Sequence, residues 1–169
     1  MVILQRSDLR KLRENHGGKK IVICSGTFDL THAGHVLFFE DCKNLGDILV
    51  VCVGDDKTTR KYKGSTRPIL NESVRLKMVD SLKPVDYTLL DIPPQDGEYG
   101  KNTLSVLFPI FEVLQPDIWA VNEDAFDIPH RLEIAQNYGM ELKVLKRTCP
   151  DSFEHISTSK ILEKIKMFG

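Results

Sequence analysis

The sequence predicts an α/β protein, a doubly wound parallel sheet of five strands in a single domain spanning residues 1–169, on three observations. Five short apolar runs rich in β-branched residues recur along the chain, bounded by polar or glycine-containing stretches. Stretches with helical spacing separate them, and strictly alternating strands and helices imply parallel strands covered on both faces. The length of 169 residues, with 41% hydrophobic and 28% charged side chains, suits one soluble domain with a sizeable core.

In order, MVILQRSDLRKLREN is too charged for a signal peptide or a membrane span and reads as part of an N-terminal helical extension over 1–18. KKIVICSG is a buried strand ending in glycine, and AGHVLFFEDCKNLG follows with helical spacing and a glycine stop. DILVVCVG is the second strand. DDKTTRKYKGSTRP is polar and basic, so residues 56–70 are expected as a flexible loop. NESVRLKMVDSL is a helix with Asn71 as N-cap, VDYTLLDI the third strand and PPQDGEYGKN a turn-rich loop. TLSVLFPIFEVLQ is helical with a disturbance at Pro109, which lacks the N–H a helix interior needs. DIWAVN, IPHRLEIAQNYG, MELKVLKR and ISTSKILEKIKMF complete the series as strand, helix, strand and helix.

Composition narrows the function. A net charge of −1 argues against a protein held on nucleic acid by bulk electrostatics. The four cysteines, Cys24, Cys42, Cys52 and Cys149, form no C-x-x-C pair, and Cys24 and Cys52 sit in apolar runs as small hydrophobes. This fits a reduced, cytoplasmic protein without a zinc knuckle.

In doubly wound sheets, ligands bind beyond the carboxyl ends of the strands where strand order reverses. SGTFDLTHAGH, residues 25–35, leaves the first strand at that end. Gly26 lets the chain leave the strand without a Cβ and lets a ligand approach the backbone. His32 and His35 project from one face at a helix start, and Gly34 between them removes a side chain where a phosphate could lie. The helix N-terminus adds unpaired N–H groups and partial positive charge. The combination is an anion site with two imidazoles, which donate to phosphate oxygens more strongly when protonated. Three plainer readings compete. A metal pair would need further ligands, and no C-x-x-C or H-E-x-x-H companion exists. The histidines could be ordinary surface or capping residues, and Asp29 a turn former.

Other segments could join this site. The basic stretch, with Lys57, Arg60, Lys61, Lys63 and Arg67, is either a solvated loop or a flap closing over a triphosphate. Arg75, three residues after Glu72, is either half of a surface ion pair or a phosphate contact. Ser157 is an N-cap with Thr158 beside it, and that helix N-terminus would also present N–H groups to phosphates. Trp119 and Phe126 read as core or wall residues.

GTFDLTHAGH resembles the signature of the cytidylyltransferase-like nucleotidyltransferases, with LGDILVVCVGDD, KGSTRP, the glutamate and arginine of NESVR, QPDIWAVNEDAFD and ISTSKIL following in family order. Within the family, KKIVICSGTFDLTHAGHV and KGSTRP look like heptose-phosphate adenylyltransferases. GTFD and KRT look more like glycerol-phosphate cytidylyltransferases, and GTFD with SLKPVD like archaeal FAD synthetases. Where cytidylyltransferases have only a couple of residues between their RT and ST motifs, CPDSFEH intervenes here.

The resemblance implies a Rossmann-like fold, a homodimer, and transfer of a nucleoside monophosphate to a small phosphorylated acceptor with release of pyrophosphate. CTP is favoured as donor, with ATP-dependent transfer to heptose 1-phosphate or FMN as the alternative and a non-catalytic nucleotide-binding regulator as the reading from another class. It implies catalytic roles for His32, His35, Lys63 and Arg75. It implies nucleotide binding by Gly26, Thr27, Phe28, Asp29, Gly34, Lys43, Asp124, Arg147, Thr148, Ile156, Ser157 and Thr158. Mg²⁺ would accompany the triphosphate, held mainly by phosphate oxygens and water, with Asp29 as a candidate partner.

Overall fold

A computed structural model describes residues 2–91 and 103–168. In chain order the elements are β1 (Val2–Ile3), α1 (Asp8–Asn15), β2 (Ile21–Gly26), α2 (Ala33–Lys43), β3 (Ile48–Val53), α3 (Asp56–Lys63) and α4 (Glu72–Asp80). There follow β4 (Tyr87–Leu90), a 3-10 turn (Thr103–Leu107), α5 (Phe108–Leu114), β5 (Ile118–Asn122), α6 (Ile128–Asn137), β6 (Glu141–Leu145) and α7 (Thr158–Met167). All strands are parallel, in the order β1-β4-β3-β2-β5-β6.

The continuous apolar strands follow from burial on both faces. Ile21 and Ile23 of β2 face one core with Val50, Trp119 and Val121, against α5 and α6 through Ile110, Phe111 and Ile134. Val22 and Cys24 face the other with Leu49, Val51 and Ala120, against α2 and α4 through Phe39 and Val79. Cys24 and Cys52 are fully buried in these layers, as their apolar runs predict, and Cys42 is buried with them. From β2 the chain builds outward through β3 and β4, then crosses to β5 on the other side of β2. Strand order therefore reverses beside β2, and its carboxyl end is the ligand position for this fold. Among the described residues no helix is long and apolar enough to cross a membrane.

Three expectations need correction. The sheet has six strands, because Val2 and Ile3 pair with Tyr87 and Thr88. A two-residue strand offers no alternation to read. The segment is also more than an extension: Leu9 and Leu12 of α1 are buried, and Arg13 lies 3.2 Å from Asp117, which accepts from Ile21 N at 2.7 Å.

The basic stretch begins as a helix, α3, rather than a loop. Asp55 caps it by accepting from Thr58 N at 2.8 Å, and Thr58 and Thr59 are its buried face. A buried face made of threonines carries no apolar period, so hydropathy could not reveal it. The disturbance at Pro109 is a change of helix type, the 3-10 turn giving way to α5 with proline in its first turn. The loop expected over 93–102 lies outside the described residues.

Candidate active site

The loop after β2 is built around a ring and a carboxylate. Phe28 adopts φ 49° and Leu30 φ 47°, left-handed values that cost non-glycine residues free energy unless their surroundings hold them. The Phe28 ring is buried, with its centroid 4.9 Å from Phe39 and 5.4 Å, edge-on, from His35. A Cβ at position 26 would lie 2.9 Å from that ring, so Gly26 makes room for Phe28.

Asp29 is 2% exposed and accepts from Ile69 N at 2.8 Å and Leu70 N at 3.0 Å. Arg67 Nε is 3.2 Å away, paired by charge without the alignment of a hydrogen bond. Thr158 Oγ1 donates to the Asp29 carbonyl at 2.7 Å. Asp29 thus fastens this loop to residues 67–70 through its carboxylate and to α7 through its carbonyl.

His32 precedes α2 in an extended conformation, and His35 lies one turn in. Their rings stack at 3.9 Å with 20° between planes. Burial, then the Arg147 charge, lowers His32. Burial, then His32, Lys63 and Arg147, lowers His35 to about 3, with Asp29 opposing. Both imidazoles are therefore neutral near pH 7 in the free protein, where the sequence left protonated donors open. Both Nδ1 atoms are buried without a hydrogen bond among the described residues, so no protein partner fixes either tautomer.

Gly34 brings two helix starts together. A Cβ there would lie 3.1 Å from His32 Cε1 and Nδ1 and 3.4 Å from the Ile156 carbonyl. Gly34→Ala is expected to leave stability nearly unchanged, since alanine favours a helix. Displacement of the His32 ring should lower turnover about tenfold, because small misplacements at a reacting centre are costly. Melting temperature and pyrophosphate release check the two halves.

Two cavities meet at the pair and share His35, Phe38, Lys63 and Asn122. One, of about 530 Å³, is lined by His32, Gly34, Arg67, Arg147, Thr148, Ile156, Ser157 and Thr158. The other, of about 760 Å³, is lined by Gly26, Thr27, Phe28, Tyr62, Asp91, Val121, Asp124, Phe126 and Arg131. The first is polar and cationic, suited to phosphates. The second is walled mainly by rings and aliphatic groups. Ser157 caps α7 by accepting from Lys160 N at 3.2 Å. Arg147 pairs with Asp124, and Thr148 donates to Asp41 at 2.6 Å. Desolvation, then the Arg67 charge, lowers the Lys63 ammonium, while Asp29 opposes.

Two expected residues stand elsewhere. Lys43 ends α2, whose start faces the site, so it lies at the amino ends of β3 and β4, bonded to Asp86 at 2.5 Å and the Asp47 carbonyl at 2.6 Å. Arg75 is fully buried, donating to Leu70 O at 2.9 Å, Thr27 O at 2.6 Å and Asp56 Oδ1 at 2.8 Å. Its guanidinium clips the β2 loop, the start of α3 and the loop before α4 together. Its donors meet protein acceptors, and it lines neither cavity described above. Glu72 serves the same seam by accepting from Asp56 N at 2.9 Å.

Sequence reasoning missed Asp91, a buried carboxyl that lines the larger cavity and contacts Asp55. Asp91 Oδ1 accepts from Asp55 N at 2.7 Å. Burial, with the Asp55 charge adding, pushes Asp91 up to about 8. Burial also pushes Asp55 upward, but hydrogen bonds from Thr58 and Asp91 outweigh it and hold Asp55 below its ordinary value. Asp91 follows the carboxyl end of β4, so the strand-end rule could have flagged it.

These titrations give opposite pH slopes. His35 moves from an ordinary 6.5 to about 3, so the unfolded chain binds the extra proton and stability falls as pH drops below about 6.5. Asp91 moves from 3.8 to about 8, so the folded chain binds the extra proton. That contribution is full below about pH 4 and is lost as pH rises through 8. Above pH 6.5 the Asp91 slope acts without His35. Stability is expected to decline from there to about pH 9, and Asp91→Asn to flatten the decline; urea midpoints across the range check it.

The family model described as cytidylyltransferase-like matches residues 23–164. An FAD synthase of Ferroglobus placidus is 35% identical over 147 residues, 86% of this chain and 88% of that one. The bifunctional protein HldE of Helicobacter pylori is 35% identical over 159 residues, 94% of this chain but 30% of that longer protein. A crystal structure of a lipopolysaccharide core biosynthesis protein from Thermoplasma volcanium superposes with TM-score 0.61 at 30% identity, covering 79% of this chain and all of that one. A pantoate-beta-alanine ligase from Francisella tularensis, TM-score 0.66 over 99% of this chain and 78% of that one at 15% identity, shares the fold.

Proposed function

The chain belongs to the cytidylyltransferase-like family of nucleotidyltransferases, and on that premise we propose that it transfers AMP from ATP to a phosphomonoester acceptor. The observation that carries the reaction type is the stacked His32–His35 pair at the junction of a cationic cavity and a ring-lined one. ATP is preferred over the CTP favoured by the GTFD and KRT motifs because relatives matched over most of the chain include FAD synthases and HldE proteins. An FAD synthase joins AMP to a flavin phosphate. FMN is the first candidate acceptor, supported by the aromatic lining of the larger cavity. A sugar 1-phosphate is the second, supported by the HldE match across 94% of this chain.

In this reading the triphosphate occupies the cationic cavity and the acceptor the other. An acceptor phosphate oxygen attacks the α-phosphorus, the bond to the bridging oxygen of the β-phosphate breaks, and pyrophosphate leaves in line. The acceptor is already an anion, so catalysis rests on positioning and charge stabilisation. His32 and His35 donate N–H bonds to the α-phosphate and bridging oxygens. Lys63, Arg67 and the α7 N-terminus hold the departing pyrophosphate. Asp29 is spent on the loop, and no cluster of three or more metal-ligating side chains occurs among the described residues. Mg²⁺ therefore fits as a passenger of the triphosphate, held by its oxygens and water.

The test is pyrophosphate release with ATP or CTP against FMN, heptose 1-phosphate and glycerol 3-phosphate. Release with ATP and FMN or the heptose phosphate is expected. Release only with CTP would restore the cytidylyl reading, and none with any pair would favour the regulatory one.

A further inference from the structure

The larger cavity contains a cation that the transfer chemistry does not use. Arg131 is 6% exposed, on α6, and lines that cavity. Its guanidinium carbon lies 4.6 Å from the Phe126 ring centroid and 5.1 Å from that of Trp119. Nε donates to the Phe126 carbonyl at 2.8 Å, its one hydrogen bond among the described residues, and no carboxylate lies within 4.0 Å of it there. Arginine has five N–H donors in a planar fork, and burying its charge is unfavourable unless those donors and the charge find partners. Burial lowers the guanidinium to about 10, with the Asp127 and Tyr62 charges opposing. A structural clip for the loop after β5 would explain Nε and the ring contacts. It would not explain a fork left in a ligand cavity.

We propose that Arg131 is a specificity-determining residue that reads the non-reacting end of the acceptor, and that this end is a planar ring bearing carbonyl oxygens. The proposal rests on the adenylyl-transfer reading, with the acceptor in this cavity. A guanidinium fork pairs with two adjacent oxygen or nitrogen acceptors. Phe126 and Tyr62, 54% and 40% exposed with centroids 6.3 Å apart, give the same cavity an apolar wall suited to a flat body. A polyol chain would satisfy the fork poorly and gain nothing from the rings.

The experiment compares FMN with ribitol 5-phosphate, which keeps the reacting phosphate and lacks the ring, as acceptors for the full chain with ATP and Mg²⁺. Wild type is expected to prefer FMN, and Arg131→Met to raise KM for FMN about ten- to hundredfold, the worth of a charged hydrogen bond. KM for ATP should move less than twofold, which a general structural loss would not allow. Arg131→Lys keeps the charge without the fork. It should fold and lose most of the preference even if Arg131→Met does not fold. Equal use of the two acceptors by wild type, or an unchanged preference in Arg131→Lys, would overturn the proposal. Turnover of sugar phosphates but not FMN would overturn it while leaving adenylyl transfer standing. If no acceptor is used, the transfer reading fails, and quenching of flavin fluorescence still decides this one. Tight binding weakened in Arg131→Lys supports the subsite, and equal or absent binding rejects it.

Discussion

His35→Ala is expected to lower turnover by about 10²–10³-fold, the usual cost of removing one donor aimed at developing charge. The fold should survive. His35 lies on the first turn of α2 with a partly exposed side chain, and its Nδ1 makes no hydrogen bond among the described residues that the substitution would orphan. Its ring packs on His32 and on the edge of Phe28, so some packing is lost, and a fall of a few degrees in melting temperature is the expected limit. Because the imidazole is held neutral, a neutral N–H donor can partly replace it. His35→Gln should recover part of the loss, which a purely steric role for the ring would not produce. Pyrophosphate release and a thermal melt on the same samples check both statements.

Asp29→Ala should be damaging for a different reason. The carboxylate joins two backbone N–H groups of residues 69 and 70 and the Arg67 charge to the loop that carries Phe28 and, beyond it, the histidines. Removing one member of a buried charge pair typically costs about 3 kcal/mol, or roughly 6–12 °C of melting temperature in a chain of this size. Turnover should fall as well, since Arg67 and the α7 contact lose their reference point. The effect on stability should appear without nucleotide or metal, and the Mg²⁺ dependence of residual activity should match wild type. An unchanged melt with a shifted Mg²⁺ dependence would restore the metal role that the motif suggested.

These two residues mark what the sequence could and could not disclose. The sheet, its direction and the ligand-binding end were legible because strands buried on both faces must be continuously apolar, as Ile21–Cys24 and Ile48–Val53 are. The histidine pair was legible because a glycine between histidines at a strand end has few other uses. The sequence also pointed to Asp29 but not to its partners, since residues 69 and 70 are forty positions away and contribute only backbone. The same holds for Arg75, where spacing proposed Glu72 and folding supplied Thr27, Leu70 and Asp56. Lys43 failed by geometry: the helix that begins at the carboxyl ends of the strands finishes at their amino ends. Arg131 carried no signal, because an arginine within IPHRLEIAQN looks solvated until Trp119 and Phe126 are seen around it. The insertion Cys149–His155, read only as a departure from the family pattern, turns out to line the cationic cavity through Cys149, Phe153, Glu154 and His155.

The central claim is that the imidazole pair handles the α-phosphate of a nucleotide lying between donor and acceptor cavities. ATP radiolabelled at either the α- or the γ-phosphorus, incubated with FMN or a sugar 1-phosphate, tests it directly. The account predicts that the α-label appears in the acceptor product, the γ-label leaves in pyrophosphate, and both are lost together in His35→Ala. Transfer of the γ-label to the acceptor, or α-transfer undiminished in that variant, would contradict it.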